Sequence, residues 1–368
     1  MSMALAGLGT AVPATRITQA EAMAIARALC CRTAEQATWL PGLYVQSGID
    51  TRHLAFDRAV VRDLLDGTRH SGSPFLPGET ECGRGPRAGV RMRHYVEHAG
   101  PLAARAARQA LTHAGLAPGE ITHLVTVSCT GFRAPGVDVH VIKELGLAPT
   151  AERTHLGFMG CHGALNGLRV ARAYVEADPA ARVLLCAVEL CGLHYHYAWD
   201  PQRMVANALF ADGAAAVVGV PESAAPAGCW RLDANGACLF PDSEDAMTWT
   251  IGDHNFEMTL SKRVPGLIAD GLRPWLEKWL AECGVASGGV ASWAIHPGGP
   301  RILSAVEEAL GLRREESAAS RAVFAEYGNM SSPTVLFILE RLRSLGAPRP
   351  CVALGFGPGL AAEAALLR

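Results

Sequence analysis

The chain has 368 residues, of which 49% are hydrophobic and 18% charged, and a formal net charge of −2 at pH 7. This composition supports a large buried core and excludes a disordered chain. Charge is balanced and no long run of one sign occurs, which argues against the basic footprint of a nucleic-acid binder.

The start of the chain, Ala4 to Thr10, reads as a strand running into a Gly/Pro turn. It lacks a charged leader and is cut by Gly7, Gly9 and Pro13, so neither a signal peptide nor a transmembrane segment is expected. A cytoplasmic location follows, in which the eleven cysteines are reduced thiols, most of them small buried hydrophobes. A helix is expected from Thr18 to Leu29, with Thr18 as cap and Glu21 three residues on. Residues 66–89, rich in Gly, Pro and Ser, read as a long surface loop. The pattern then gives a helix from about Leu102 to Ala114, opened by Pro101 and closed by Gly115. A buried strand over 121–131, a helix over 138–146, and a helix running from near Cys161 to residue 177 follow. Two further buried strands, ARVLLCAVEL and ALFADGAAAVVGV, complete this half. Alternating strands and helices with continuous apolar strands indicate an α/β layered fold.

The chain also repeats itself. Ser128 ends a strand and Cys161 opens a helix 33 residues later; His296 ends a strand and Asn329 opens a helix, again 33 residues later. The offset between the two sets, 168 residues, also maps CAVELCG onto LGFGPGL, and AGLAPGEITHL maps onto CGVASGGVASW at 169. Such a duplication predicts two related halves, 1–225 and 226–368, with equivalent helix starts facing one central site.

Three residues carry chemistry. Cys161 lies in GFMGCHGALNG, where glycines permit close approach and a buried helix begins. The positive end of that helix would favour the thiolate, which is the nucleophile. His296, in SWAIHPGGP, sits at the C-terminal end of a strand, where α/β folds place ligands, and would form a thiolate–imidazolium pair with a thiol. Asn329, in EYGNMSSPT, reads as a helix cap, but the symmetry places it opposite Cys161, where its amide would stabilise an oxyanion or enolate.

With these residues in place, the chain resembles type III polyketide synthases, the chalcone-synthase-like family, over nearly its whole length. The resemblance rests on GTAVPATRITQAEA, RMRHYVEHA, CTGFRAPG, MGCHGALNGLRVA, ALFADGAAAVV, VPGLI, IHPGGPRIL, YGNMSSPTVLFIL and GFGPGL. It implies the thiolase fold, with duplicated αβαβα halves in a five-layered pseudo-twofold core, and a homodimer. It also implies a Cys–His–Asn triad at Cys161, His296 and Asn329. By that resemblance an acyl-CoA starter is loaded on Cys161, malonyl-CoA is decarboxylated at His296 and Asn329, and the extended chain is cyclised. Neither cofactor nor metal is needed beyond the coenzyme A thioesters.

Phe210 matches the family's aromatic gatekeeper, and Met258 falls near the second, which is aromatic in plant members. Cys129 and Thr130 stand where plant members have Thr-Ser, and Cys191 and His194 replace cavity threonines. Ser331, in GNMSS, completes the cavity set. Ala134 replaces a methionine that reaches into the partner's cavity. These departures look bacterial, and the smaller wall suggests a medium or long fatty acyl starter and an alkylpyrone or alkylresorcinol product. The alternative is a small or aromatic starter with a tetrahydroxynaphthalene- or chalcone-like product. Arg52 and Arg301 are candidates for the coenzyme A phosphates.

Two rival readings differ in testable features. An initiating ketoacyl-acyl-carrier-protein synthase should carry an HQAN-like motif where this chain has His296-Pro297-Gly298-Gly299. A metal enzyme would use His194 and His196, an HxH pair on one face of a strand, with His162 or Glu189, but no third ligand has convincing spacing.

Overall fold

The computed structural model describes residues 2–78 and 83–368. Nine strands form one sheet, in the order Ser292–Ile295, Cys351–Gly357, Ala361–Leu367, Trp230–Leu239, Met3–Ala11, Asp212–Pro221, Val183–Leu190, His123–Ser128, Glu152–Gly157. Read outward from the junction of Trp230–Leu239 with Met3–Ala11, the two sides repeat. Each has two antiparallel steps and then a parallel pair, ending on the strand before His296 or on the strand ending at Ser128. The repeat breaks outside that pair. Glu152–Gly157 adds a parallel edge strand that the sequence pattern did not reveal, whereas the residues 168 positions later lie in the helix Ala318–Tyr327.

Two helices, Gly163–Ala177 and Pro333–Ser344, form the middle layer. Leu165, Leu168, Val335, Leu336, Ile338 and Leu339 are fully buried there, in one core with strand residues of both halves. A helix apolar nearly all round, as Pro333–Ser344 is, requires such a position. The outer layers are the long helix Ala88–Ala114 against the first half and the helices Val264–Glu282 and Pro300–Leu310 against the second. The arrangement is the five-layered thiolase architecture.

The long helix begins at Ala88 and passes through Pro101, fourteen residues earlier than its sequence signals suggested. Its alanine face, Ala103, Ala106, Ala107 and Ala110, lies so close to the first strand that a Cβ on Gly7 or Gly9 would fall 2.0 or 2.2 Å from a helix carbonyl. Thr18 caps the helix Gln19–Cys30 with the reciprocal Glu21 bond expected of a capping box.

Candidate active site

The site lies where the two middle helices begin. Cys161 occupies a short turn, Gly160–His162, immediately before the helix Gly163–Ala177. Asn329 does not cap a helix. It sits four residues before Pro333, in an isolated parallel bridge with Phe210: Ala211 N–H donates to the Asn329 carbonyl and Asn329 N–H to the Leu209 carbonyl, both at 2.9 Å. The residues preceding Cys161 and Asn329, Gly160 and Gly328, both have positive φ, 73° and 72°, the region that favours glycine. The repeat thus extends to the backbone twist that aims each functional residue. A Cβ at Gly160 would also meet Pro358 Cδ at 2.3 Å, so the GFGPG turn packs directly on the nucleophile turn.

His296 follows the strand Ser292–Ile295 and donates its N–H to the Leu354 carbonyl at 2.8 Å. Its ring is only 1% exposed, and neither Nδ1 nor Nε2 has a hydrogen-bond partner. Buried polar groups are rarely left so. The Ser331 hydroxyl and the Asn329 amide are near enough to the Cys161 sulfur to favour its thiolate. Asn329 Oδ1 accepts from Ser331 N–H at 2.8 Å, which holds Ser331 in the left-handed region at φ 57°.

Burial pushes the Cys161 thiol up to about 11. Burial, with His162 nearby, pushes the His296 imidazole down to about 3. For both groups burial favours the neutral form. Desolvation of the buried sulfur thus opposes the thiolate expected from the helix start, while the Ser331 and Asn329 side chains favour it.

Beneath the nucleophile lies a buried carboxylate whose role was not anticipated. Glu189 accepts from Cys129 N–H (3.0 Å), Thr130 Oγ1 (2.7 Å), Ser332 Oγ (2.8 Å) and Ser128 Oγ (3.3 Å), while desolvation raises its pKa. The signal was available, since Glu189 is a lone acid in an otherwise apolar buried strand. Cys129 Sγ lies 3.6 Å from Ser331 Oγ, and its carbonyl accepts from Trp249 Nε1 at 2.7 Å. A second polar clasp joins the halves. His162 Nδ1 bonds Asn166 Oδ1, Asn166 donates to Glu363, and Arg169 pairs with Glu363.

The remaining candidates divide. Cys191, His194, Phe210 and Met258 line an apolar cavity of about 70 Å³, together with Ile17, Ile25, Leu29, Val61 and Leu64. Cys129, Thr130 and Ser331 are outside that lining: Cys129 and Thr130 bond Glu189, and Ser331 meets Cys129 Sγ. Ala134 does not line the cavity of its own chain: it lies in an exposed turn with Phe132, which is 46% exposed.

Arg52 is not free to meet a phosphate. It is 2% exposed, and its guanidinium donates to the carbonyls of Asn207, Ala208 and Phe210 and to Gln19. It ties the Phe210 backbone to the core instead. Arg301 is exposed in the first turn of Pro300–Leu310.

The HxH pair is not on a strand. His194 ends a short turn, Cys191–His194, with both ring nitrogens engaged: Nδ1 accepts from Phe256 N–H at 3.0 Å and Nε2 donates to the Thr130 carbonyl at 2.7 Å. No lone pair is left for a metal at His194.

Residues 2–221 match the family description "Chalcone and stilbene synthases, N-terminal domain", and residues 232–368 match the C-terminal domain of the same family. The chain is 34% identical over 98% of its length to the alpha-pyrone synthesis polyketide synthase-like Pks18 of Mycobacterium tuberculosis, covering 89% of that protein. It is 32% identical over 99% of its length to 1,3,6,8-tetrahydroxynaphthalene synthase of Streptomyces peucetius subsp. caesius, covering 92% of it. Among solved structures, PKS-I from the brown alga Ectocarpus siliculosus superposes with a TM-score of 0.89 at 36% identity, over 100% of this chain and 98% of that one.

Proposed function

The chain belongs to the chalcone and stilbene synthase family, the type III polyketide synthases, and from that premise we propose that it condenses an acyl-CoA starter with malonyl-CoA at Cys161, His296 and Asn329. The observation that carries this reading is the buried His296 ring, unpartnered at both nitrogens and close enough to His162, the residue after Cys161, to feel its charge.

In this mechanism Cys161 attacks the starter carbonyl as its proton passes to His296. The thioester bond to coenzyme A breaks, and the departing thiolate takes the proton. Malonyl-CoA then binds with its thioester carbonyl facing His296 and Asn329. The bond to its carboxylate breaks, carbon dioxide leaves, and the electron pair becomes an enolate held by the two donors. The enolate carbon attacks the Cys161 thioester, forming the carbon–carbon bond and releasing the thiolate. Burial that favours the neutral forms suits a site in which charge appears as substrate arrives.

The starter is a medium or long fatty acyl group. Supporting this are the aliphatic lining formed by Ile17, Ile25, Leu29, Val61 and Leu64 and the unbranched Met258 at its edge. Each methylene buried there contributes about 0.8 kcal/mol, or about fourfold in kcat/KM, until the cavity is filled. Products are alkylpyrones or alkylresorcinols. Mass analysis of products from a panel of acyl-CoA starters with malonyl-CoA tests the reading. Rising kcat/KM with chain length supports it, and preference for acetyl-, malonyl- or aromatic acyl-CoA refutes the starter assignment. Ile25→Trp should cut activity on long starters and spare short ones.

The enzyme acts as a homodimer. The edge strand Glu152–Gly157 is mostly unburied, and Phe132 and Met159 (37% exposed) flank it, which suits contact with a second copy. Arg301, exposed in the first turn of Pro300–Leu310, is the candidate arginine free to meet the coenzyme A phosphates.

A further inference from the structure

Helix positions three and four apart share a face. On the helix Ala88–Ala114 this brings together His94, Glu97 and His98, each offering one ligand atom within 4.8 Å of the others. The two imidazole rings lie 4.1 Å apart at 41°. Glu97 is exposed and both histidines are partly exposed, so an ion reaches the group from solvent. Among the described residues it is the one such group of three, and it lies outside the condensing site.

The chemistry of His94 separates this group from a chance surface cluster. Its Nε2 donates to the Ala55 carbonyl, which fixes the tautomer and leaves the Nδ1 lone pair free. A ligating histidine commonly anchors its other ring nitrogen on a carbonyl in this way. The Ala55 backbone is itself fixed, because its N–H donates to the buried Asp212 Oδ2 at 2.7 Å. Phe56 stacks on the His94 ring at 5.2 Å and Phe75 meets it edge-on at 5.1 Å, holding its orientation. One ring is thus pre-oriented, a second lies one turn along, and a carboxylate sits between them in sequence.

We propose that His94, Glu97 and His98 form a site for one divalent transition-metal ion of the zinc type, bound on the outside of the long helix. Two imidazoles and a carboxylate are the donor set of zinc sites that keep a position open for water. The ion has no part in condensation, and the site departs from the absence of metal expected from the sequence. Its place in the fold suggests what it does. Tyr95, within the same turn but facing inward, donates to Ser128 Oγ at 2.7 Å, and Ser128 reaches Glu189 beneath Cys129. Phe56 and Phe75 line the apolar cavity. A metal on this turn pins the helix segment that supports the floor of the active site.

The test is calorimetric titration of the tag-free, full-length protein with zinc sulfate, paired with His98→Ala and with absorption spectra of the cobalt(II)-loaded protein. The expected result is one site whose dissociation constant rises on the order of 10–100-fold or more in His98→Ala, since losing even a supporting residue has that effect. Zinc should raise the thermal midpoint of the parent protein and leave that of the variant unchanged. Cobalt should give weak visible bands without thiolate charge transfer. Equal affinity in parent and variant, no zinc binding at micromolar concentration, or a cobalt–thiolate band that places the ion on cysteine would each overturn the proposal.

Discussion

Replacing Asn329 separates two functions that one side chain performs. Its amide N–H is the proposed donor to the malonyl thioester oxygen, and its Oδ1 accepts from Ser331 N–H at 2.8 Å. Asn329→Ala removes both. Loss of an oxyanion donor costs about 3 kcal/mol, on the order of 100–1,000-fold in the decarboxylation step. The orphaned Ser331 N–H is buried and costs a further ~1–3 kcal/mol, charged to stability. Ser331 would then relax from its left-handed conformation and move its hydroxyl away from the sulfur, so starter loading falls modestly, by roughly one turn-relaxation energy of ~1 kcal/mol or about fivefold. Asn329→Asp keeps an acceptor for Ser331 and, when ionised, replaces the donor with a buried negative charge that repels the developing enolate. The assay is single-turnover: acyl-enzyme formation by mass spectrometry and carbon dioxide release from labelled malonyl-CoA, with thermal midpoints alongside. Both variants should lose decarboxylation, and Asn329→Ala should also lose stability. Equal losses in loading and decarboxylation, or an Asp variant that decarboxylates at the parent rate, would refute the role of the amide.

Other consequences follow from burial and hydrogen bonding. With the Cys161 thiol raised to about 11, the rate of inactivation by iodoacetamide should keep climbing above pH 8.5, the value of a free thiol; a plateau with its midpoint below pH 7 would mean that the ion pair already exists at rest. Glu189→Ala leaves the Thr130 and Ser332 hydroxyls and Cys129 N–H without their buried acceptor, so denaturation should show a loss of about 3–5 kcal/mol; a loss under about 1 kcal/mol would mean that water replaces the carboxylate. Light scattering should give a dimer, and a monomer near the 38.8 kDa chain mass at micromolar concentration would contradict the role given to the edge strand.

The parts of this fold that were legible in the sequence are those written in local rules. Thr18 and Glu21 mark a helix start because both must satisfy backbone donors there. The 33-residue spacing from Ser128 to Cys161 and from His296 to Asn329 was visible because glycines and apolar runs bracket each one. What escaped depends on tertiary neighbours. Nothing local to Arg52 reveals that carbonyls of a segment 155 or more residues away absorb its guanidinium. The long helix hid its first fourteen residues behind Gly89, Gly100 and Pro101, which its packing against the first strand overrides. The helix start at Cys161 and its histidine partner are legible in the sequence, whereas the desolvation that opposes the thiolate depends on the surrounding layers. Ala134 pointed to a wider cavity, but the apolar lining includes Ile17, Ile25 and Leu29 of the N-terminal segment, whose distance in sequence from Phe210 and Met258 gave no hint that they share one cavity.

The central claim is that Cys161 carries the growing chain. Intact-protein and peptide mass spectrometry after mixing the enzyme with a fatty acyl-CoA, without malonyl-CoA, tests it directly. The expected result is one acyl group per chain, located on the peptide containing Cys161 and absent from Cys161→Ala. An adduct on Cys129, or one that persists in Cys161→Ala, would contradict it.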